Sequence, residues 1–309
     1  MSDFKQRVIT CVLTSVFIIA AAGCQAGSTI KNTPSEINVK TQNDNSNPTS
    51  TNSFLYDQWQ VNQVLFDRSE KSSIQGIHES INVPKYLGRL ITIKPDTFSI
   101  NTHDNPLCNE AAFTQNKSSA GELIAQSISI GVGSGRTLPQ DIEFPITSET
   151  VIDVFYLTCQ GVLQSKDRGM EVLADKSNAT WLVPLPNDQI ALSWHEQSVL
   201  ILNRVSEDAI PSASFDCSNA GTTVEKTLCS NIGLAAYDKS LARAYHEARA
   251  YYQSKANATD GLNELKDTQR EWIIERNKCG SDQDCLQKTM DIRIGDIIYD
   301  VNDYAYRHR

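Results

Sequence analysis

The hydrophobic pattern of this chain changes its period near residue 211, and this change is the strongest constraint on the fold. Across residues 54–211, short apolar runs rich in β-branched and aromatic residues alternate with turn residues, which is typical of β-strands. Beyond that point, apolar residues recur every three or four positions, which is typical of amphipathic helices. We therefore predict an α+β multidomain protein, with a β-rich small barrel or sandwich at residues 54–211 and an antiparallel helical domain at residues 212–309.

Several elements of the β-rich part can be placed from the sequence. Leu90–Ile93 and Thr97–Ile100 flank Lys94, Pro95 and Asp96, and the proline presets the backbone for a hairpin turn. Further strands are predicted at residues 151–162, 179–185, 189–194 and 198–205. Residues 120–126 are compatible with a helix, but Glu122, Leu123 and Ile124 do not decide between the helical and the strand period.

The helical part carries four periodic segments. Thr222 and Glu225 match a capping box, which satisfies free amide groups at the start of a first helix. The apolar residues of the next three helices are Leu234, Tyr237, Leu241, Tyr245, Ala248 and Tyr252; Leu262, Leu265, Trp272 and Ile273; and Leu286, Met290, Ile294, Ile297, Ile298 and Val301. Their short connections predict antiparallel packing.

The amino-terminal segment has the features of an export signal. Lys5 and Arg7 precede 15 uncharged residues, fewer than the roughly 20 needed for a membrane-spanning helix. This run ends at Ala21-Ala22-Gly23-Cys24, which resembles the lipobox of bacterial lipoproteins. The resemblance implies a signal peptide at residues 1–23 and lipidation of Cys24 by acyl chains such as palmitate, which would anchor the protein to a membrane. An ordinary secretory signal cleaved near Ala22 is the alternative.

Residues 24–53 are mostly Ser, Thr, Asn, Gln, Gly and Pro, and we expect a disordered tether because such a segment buries little apolar surface. Gln25 after the lipidated cysteine resembles the sorting signal of Gram-negative lipoproteins for the outer membrane. The expected location is therefore the bacterial cell envelope, on the outer membrane facing the periplasm.

The charge balance restricts the partners of the protein. The chain has 28 Lys and Arg residues against 37 Asp and Glu residues, a net charge of −9, so it offers no basic surface for nucleic acid. The β-rich part carries 11 basic and 19 acidic residues, a net charge of −8, whereas the helical part carries 13 and 15, a net charge of −2. An acidic domain attracts cationic partners at low salt.

The eight cysteines divide into three groups. Cys11 is lost with the signal and Cys24 is acylated, which leaves six thiols in an oxidising compartment. Two lie in the β-rich part, Cys108 and Cys159, and four lie in the helical part. The spacings are too long for a zinc site of paired cysteines. Of the three connectivities possible in the helical part, we favour Cys217 with Cys229 and Cys279 with Cys285.

The helical part also carries a set of short motifs in a fixed order. The motifs are Phe215-Asp216-Cys217, Val224-Glu225-Lys226-Thr227-Leu228-Cys229, Leu234-Ala235-Ala236-Tyr237-Asp238, Ala244-Tyr245, Gln269-Arg270-Glu271-Trp272, Arg276-Asn277-Lys278-Cys279, Cys285-Leu286 and Arg293. As an ordered set, they resemble the LprI-type lysozyme-inhibitor domain family. The β-rich part loosely resembles the region that precedes this domain in longer family members, at Leu87-Gly88-Arg89-Leu90, Cys108, Cys159 and residues 190–202.

The resemblance implies an exported protein that binds and inhibits lysozyme by protein-protein interaction. The family-matching positions are Phe215, Asp216, Glu225, Tyr245, Gln269, Trp272, Arg276 and Arg293. We expect structural roles for them, with Glu225 capping a helix, Trp272 in a core, and Arg276 and Arg293 paired with Asp216 or Asp238. Exposed loops after Ser254 and at residues 280–284 are candidate contacts with lysozyme.

Enzymatic signals are weak. The five histidines form no HExxH pattern, and the glycine-rich residues 131–136 lack the phosphate-binding GxxxxGK[ST] pattern. His195 and Glu196 fall in a predicted hairpin turn, where a polar surface pair is the ordinary explanation. We therefore predict a protein that is not an enzyme and that needs no cofactor or metal. The alternative function is that of a non-inhibitory envelope scaffold or ligand-binding lipoprotein.

Overall fold

The computed structural model describes residues 52–67, 83–102, 107–128, 136–163, 179–194 and 198–308. All of them lie within one compact unit, Pro48–Arg309. The predicted signal at residues 1–23, the lipidation site Cys24 and the tether up to residue 51 lie outside the described residues. So do His78, His103, His195, Glu196 and the glycine-rich segment 131–135.

The β-rich part forms one antiparallel sheet, with ten strands in the described residues. The strands are β1 Asp57–Leu65, β2 Leu90–Ile93, β3 Thr97–Ile100, β4 Leu107–Asn109, β5 Ala111–Ser119, β6 Val151–Cys159, β7 Val162–Leu163, β8 Trp181–Leu185, β9 Gln189–Trp194 and β10 Ser198–Arg204. Their spatial order is β4-β3-β2-β1-β10-β9-β8-β6-β5, and β7 pairs with β6 beside this path.

The two ends of this strand order are joined by the chain itself. Strands β4 and β5 are separated only by Glu110, which has the left-handed φ of 53°. The disulfide Cys108–Cys159 links β4 to β6, and the amide of Ala111 donates to the carbonyl of Asp96 at 2.9 Å. The sheet therefore curls into a half-barrel. The half-barrel confirms the predicted α+β class. Of the two forms predicted for the β-rich part, a small barrel or a sandwich, the structure has the barrel-like one.

Strands β8 to β10 are buried on both faces because the sheet has two apolar cores. Leu182, Leu192 and Leu200 point into the half-barrel. On the opposite face, neighbouring residues such as Trp181 contact helix α2, Ala120–Ser127. The Trp181 indole donates to Ser127 Oγ at 2.7 Å. Burial on both faces explains why these strands read as continuous apolar runs.

The structure confirms most predicted strands and corrects one. Residues 151–162 were expected to form a single strand, but β6 ends at Cys159. Gln160 and Gly161 have φ of 53° and 75° and form a tight turn into β7. Strand β5 had no sequence signal because its central residues are polar.

The helical part contains α3 Thr223–Leu228, α4 Ile232–Gln253, α5 Thr259–Asn277 and α6 Gln283–Arg307, and a further short helix, α1 Val83–Tyr86, precedes β2. Helix α4 packs against α5 and α6, which form a hairpin. Most residues of the predicted apolar stripes form one core that includes Leu234, Tyr237, Met290 and Ile294, whereas Ile273, also predicted in a stripe, is 38% exposed. No helix in the described part of the chain is long and apolar enough to cross a bilayer.

A buried junction holds the helical part against the sheet. It is formed by Leu87, Gly88, Arg89 and Asn101 on the sheet side, by Ala236, Tyr237 and Ser240 on α4, and by Asp291 on α6. Gly88 has φ of 76°, and a Cβ at this position would lie 2.8 Å from the Cβ of Ala236. A glycine is therefore required here both by the backbone conformation and by the close approach of α4.

Candidate functional site

The helical part begins with two caps and a disulfide. Asp216 accepts a hydrogen bond from the amide of Ser218 at 2.9 Å, and the bridge Cys217–Cys229 closes the segment that contains α3. Glu225 accepts from the amides of Gly221 and Thr222, both at 2.9 Å, as the capping-box prediction requires. These amide donors lower the pKa values of the Asp216 and Glu225 carboxyls, because they stabilise the ionised form.

The turn between α5 and α6 is closed by the second helical disulfide, Cys279–Cys285. Asp282 caps α6 by accepting from the amide of Cys285 at 3.0 Å, and Gly280 supplies a φ of 58°. The favoured connectivity of the four helical cysteines is therefore confirmed. The bridge and the cap restrict the conformations of this exposed turn.

Polar side chains connect α5 with α6 at the middle of the hairpin. Arg293, only 5% exposed, donates to Gln269 Oε1 at 3.0 Å and to Thr268 Oγ1 at 2.9 Å. About one turn away, the half-buried Trp272 donates its indole N–H to the carbonyl of Thr289 at 3.2 Å. Three of the family-matching positions thus hold the two helices in register.

The expected ion pairs of the two arginines are replaced by other contacts. Arg293 bonds to amide and hydroxyl oxygens, as above. Burial lowers the pKa of Arg293, and the carboxylates of Asp296 and Asp300 oppose this shift. The Arg276 guanidinium lies 5.2 Å from the ring of Trp272 and donates to Asn277 Oδ1 at 3.0 Å. Burial lowers the pKa of Arg276, and the carboxylates of Asp238 and Glu225 oppose this shift from farther away.

The carboxylates expected as their partners have other roles. Asp238 accepts from the amide of Ser214 at 2.7 Å, while Asp216 caps the turn at Cys217. The remaining family-matching residues, Phe215 and Tyr245, are half-buried and pack against the helical core. The matched positions therefore converge on the inside and the ends of the helical part and do not form an exposed cluster.

An acidic cluster lies where the start of α5 faces the second half of α6. Its members are Glu264 on α5 and Asp296, Asp300 and Asp303 on α6. Partial burial raises the pKa of the Asp300 carboxyl, its three acidic neighbours add to the shift, and Arg293 opposes it. Arg307 pairs with Asp303 at 2.7 Å. The cluster brings four carboxylates together beside two arginines, Arg293 and Arg307.

Among the cations that pair with an acid in the described part of the chain, Arg89 is the most deeply buried. The sequence alone assigned no role to this side chain. Arg89 is 0% exposed, and its guanidinium lies 3.5 Å from the ring centroid of Tyr237 and 3.5 Å from Asp291 Oδ1. It also donates to the carbonyl of Pro84 at 3.3 Å. Burial lowers the pKa of Arg89 and raises that of the Tyr237 phenol well above its ordinary value. No sequence pattern signalled the contacts with Tyr237 and Asp291, because both residues are more than 140 positions away from Arg89 in the chain.

The two loops proposed as contacts with lysozyme both lie at the surface. Residues 254–257 after α4 and residues 281–284 at the start of α6 are exposed. A cleft of about 250 Å³ also opens near the junction, between Val61, Leu87, Ile210 and Lys239. It is smaller than a typical small-molecule site, and Lys239 at its rim donates to Ser212 Oγ at 2.8 Å. In the described part of the chain, no three His, Cys, Asp or Glu side chains are grouped as metal ligands.

These observations define a small helical module, closed by two disulfides and held against a curved antiparallel sheet. Residues 216–297 match the family model described as lysozyme inhibitor LprI. The match confirms the resemblance predicted from the sequence, and it extends from the cap at Asp216 into the second half of α6. Neither a curated protein nor a solved structure matches the chain.

Proposed function

We propose that this protein binds and inhibits lysozyme, acting by protein-protein interaction and not by catalysis. The observation that carries the proposal is the match of residues 216–297 to the lysozyme-inhibitor family model. Two disulfides and the polar contacts between α5 and α6 support it, because a preorganised surface loses less conformational entropy on binding. The net charge of −9 also favours encounter with lysozymes, which are usually cationic.

A clearing assay tests this proposal directly. Residues 25–309, purified with the three disulfides oxidised, are added to lysozyme and a peptidoglycan suspension, and turbidity is followed over time. We expect the rate of clearing to fall in proportion to the inhibitor added, with saturation at a fixed molar ratio. An unrelated exported protein of similar net charge serves as the control for nonspecific attraction. An unchanged rate at micromolar excess would contradict the proposal for chicken-type lysozymes.

We further propose that the protein is a lipoprotein of the bacterial cell envelope, anchored through Cys24 and facing the periplasm from the outer membrane. The charged start, the 15 uncharged residues and the lipobox-like sequence before Cys24 support this location. Residues 24–53 would then act as a tether that lets the folded part reach a partner away from the membrane.

The anchor is tested by expression in a Gram-negative host supplied with labelled palmitate. We expect label in the full chain and in the membrane fraction, and loss of both when Cys24→Ser removes the acylated thiol. Separation of inner and outer membranes then locates the protein. Secretion of an unlabelled chain cleaved near Ala22 would instead identify an ordinary export signal.

A further inference from the structure

The outward face of α6 exposes three large apolar side chains in one line. Ile292, Tyr299 and Tyr306 are spaced by seven residues, about two helical turns, and are 44%, 69% and 65% exposed. By contrast, Tyr304 on the same helix packs against Tyr252, with ring centroids 5.2 Å apart. Large exposed side chains in one row are uncommon where a surface faces only water, and aromatic residues are enriched in the centres of protein interfaces.

The face is bounded on both sides by structure that is already packed. On one flank, Asp291 reaches the buried Arg89 of the junction. On the other flank, Thr289 and Arg293 bond to Trp272 and Gln269 of α5. The line of exposed side chains therefore lies between the sheet and α5, on the part of α6 that neither neighbour covers.

The charges on this face identify the kind of partner it fits. The exposed Lys288 adjoins the first half of the line, four residues before Ile292, whereas Asp296 and Asp303 lie in the same angular sector along its second half, at four and eleven residues from Ile292. Asp300 and Glu264 extend the negative region toward α5. Arg307 forms an ion pair with Asp303. Asp296 and Asp300 keep the second half of the face acidic. An apolar line with an acidic border is complementary to a cationic protein surface that carries an apolar patch.

We infer that this outer face of α6, formed by Ile292, Asp296, Tyr299, Asp303 and Tyr306, is the surface that docks a cationic protein partner. The inference rests on the proposed function, in which that partner is lysozyme. It assigns the contact to α6 itself, in place of the two exposed loops. The family-matching residues then act from behind this face: Arg293 and Trp272 hold α6 against α5 and so keep the docking residues in line.

Binding measurements on surface variants test this assignment. Residues 25–309 are immobilised, and chicken-type lysozyme is the probe. We expect the double variant Ile292→Ala with Tyr299→Ala to weaken binding about 30-fold, as loss of a central interface contact does. Charge reversal by Asp296→Lys is expected to weaken binding about tenfold, with a smaller effect at high salt.

Matched controls come from α5. Ile274 is 63% exposed and Glu271 is also exposed, so Ile274→Ala removes an exposed isoleucine and Glu271→Lys reverses an exposed carboxylate charge away from the docking face. We expect both controls to bind within twofold of the parent chain. Unchanged thermal melts of all variants, followed by circular dichroism, would show that the losses do not come from unfolding.

The outcomes separate the two proposals. If the parent chain binds lysozyme and the α6 variants bind equally well, the docking face is wrong and the proposed function stands. If the parent chain does not bind, the proposed function fails and the lysozyme-docking assignment fails with it. Sedimentation of the parent chain as a dimer that Tyr299→Ala dissociates would also overturn the assignment, because a second copy would then occupy the face.

Discussion

Replacement of Arg89 by alanine is expected to lower the free energy of unfolding by about 3 kcal/mol, the largest loss we expect from a single substitution outside the disulfides. The side chain is 0% exposed and joins the neighbouring α1 to two helices that are distant in sequence, through the carbonyl of Pro84, the ring of Tyr237 and the carboxylate of Asp291. Its removal leaves Asp291 without its buried cation and opens a void against Tyr237. Urea denaturation of the oxidised protein, residues 25–309, measures the loss.

Arg204 provides a matched control for this prediction. Its guanidinium also lies over an aromatic ring, 4.2 Å from that of Trp59, and pairs with Asp57 at one end and with Asp188 at the other. It is nevertheless 29% exposed, so solvent screens its ion pairs, and Arg204→Ala is expected to cost no more than about 1 kcal/mol. Arg89→Met would separate lost packing from lost charge. Equal losses for the two alanine variants would contradict the role given to the junction.

Removal of the disulfide Cys108–Cys159 by double alanine substitution is expected to cost about 4 kcal/mol. This bridge spans 51 residues, against 12 and 6 for the two bridges of the helical module. A cross-link that closes a longer loop removes more conformational entropy from the unfolded chain. The bridge also fastens β4 to β6, where the curled sheet meets itself.

The two helical bridges supply the comparison. In the chain-entropy model, their double alanine variants should lose about 3 kcal/mol for Cys217–Cys229 and about 2 kcal/mol for Cys279–Cys285. Urea denaturation gives the three values, and mass spectrometry of the non-reduced protein confirms which thiols are paired. If the shortest loop gave the largest loss, strain or local contacts would outweigh loop entropy in this protein.

Much of the helical module could be predicted because its signals are local. The Thr222–Glu225 capping box, the apolar stripe of α4 and the even number of cysteines each depend on residues that are close in sequence. The partners of Arg276 and Arg293 could not be predicted in this way. Those contacts depend on how α5 rotates against α4 and α6, and many carboxylates within the module could have served equally well.

The sequence by itself determined the change from strands to helices, the caps, the turns around Pro95 and Gly280, and the match to the lysozyme-inhibitor family. Only the tertiary structure decided that the sheet curls so that β4 meets β5 and β6, that Arg89 is buried against α4 and α6, and that Ile292, Tyr299 and Tyr306 stay exposed. The reason is physical. Backbone preferences and periodicity act over a few residues, whereas the burial of a side chain depends on which distant element comes to cover it.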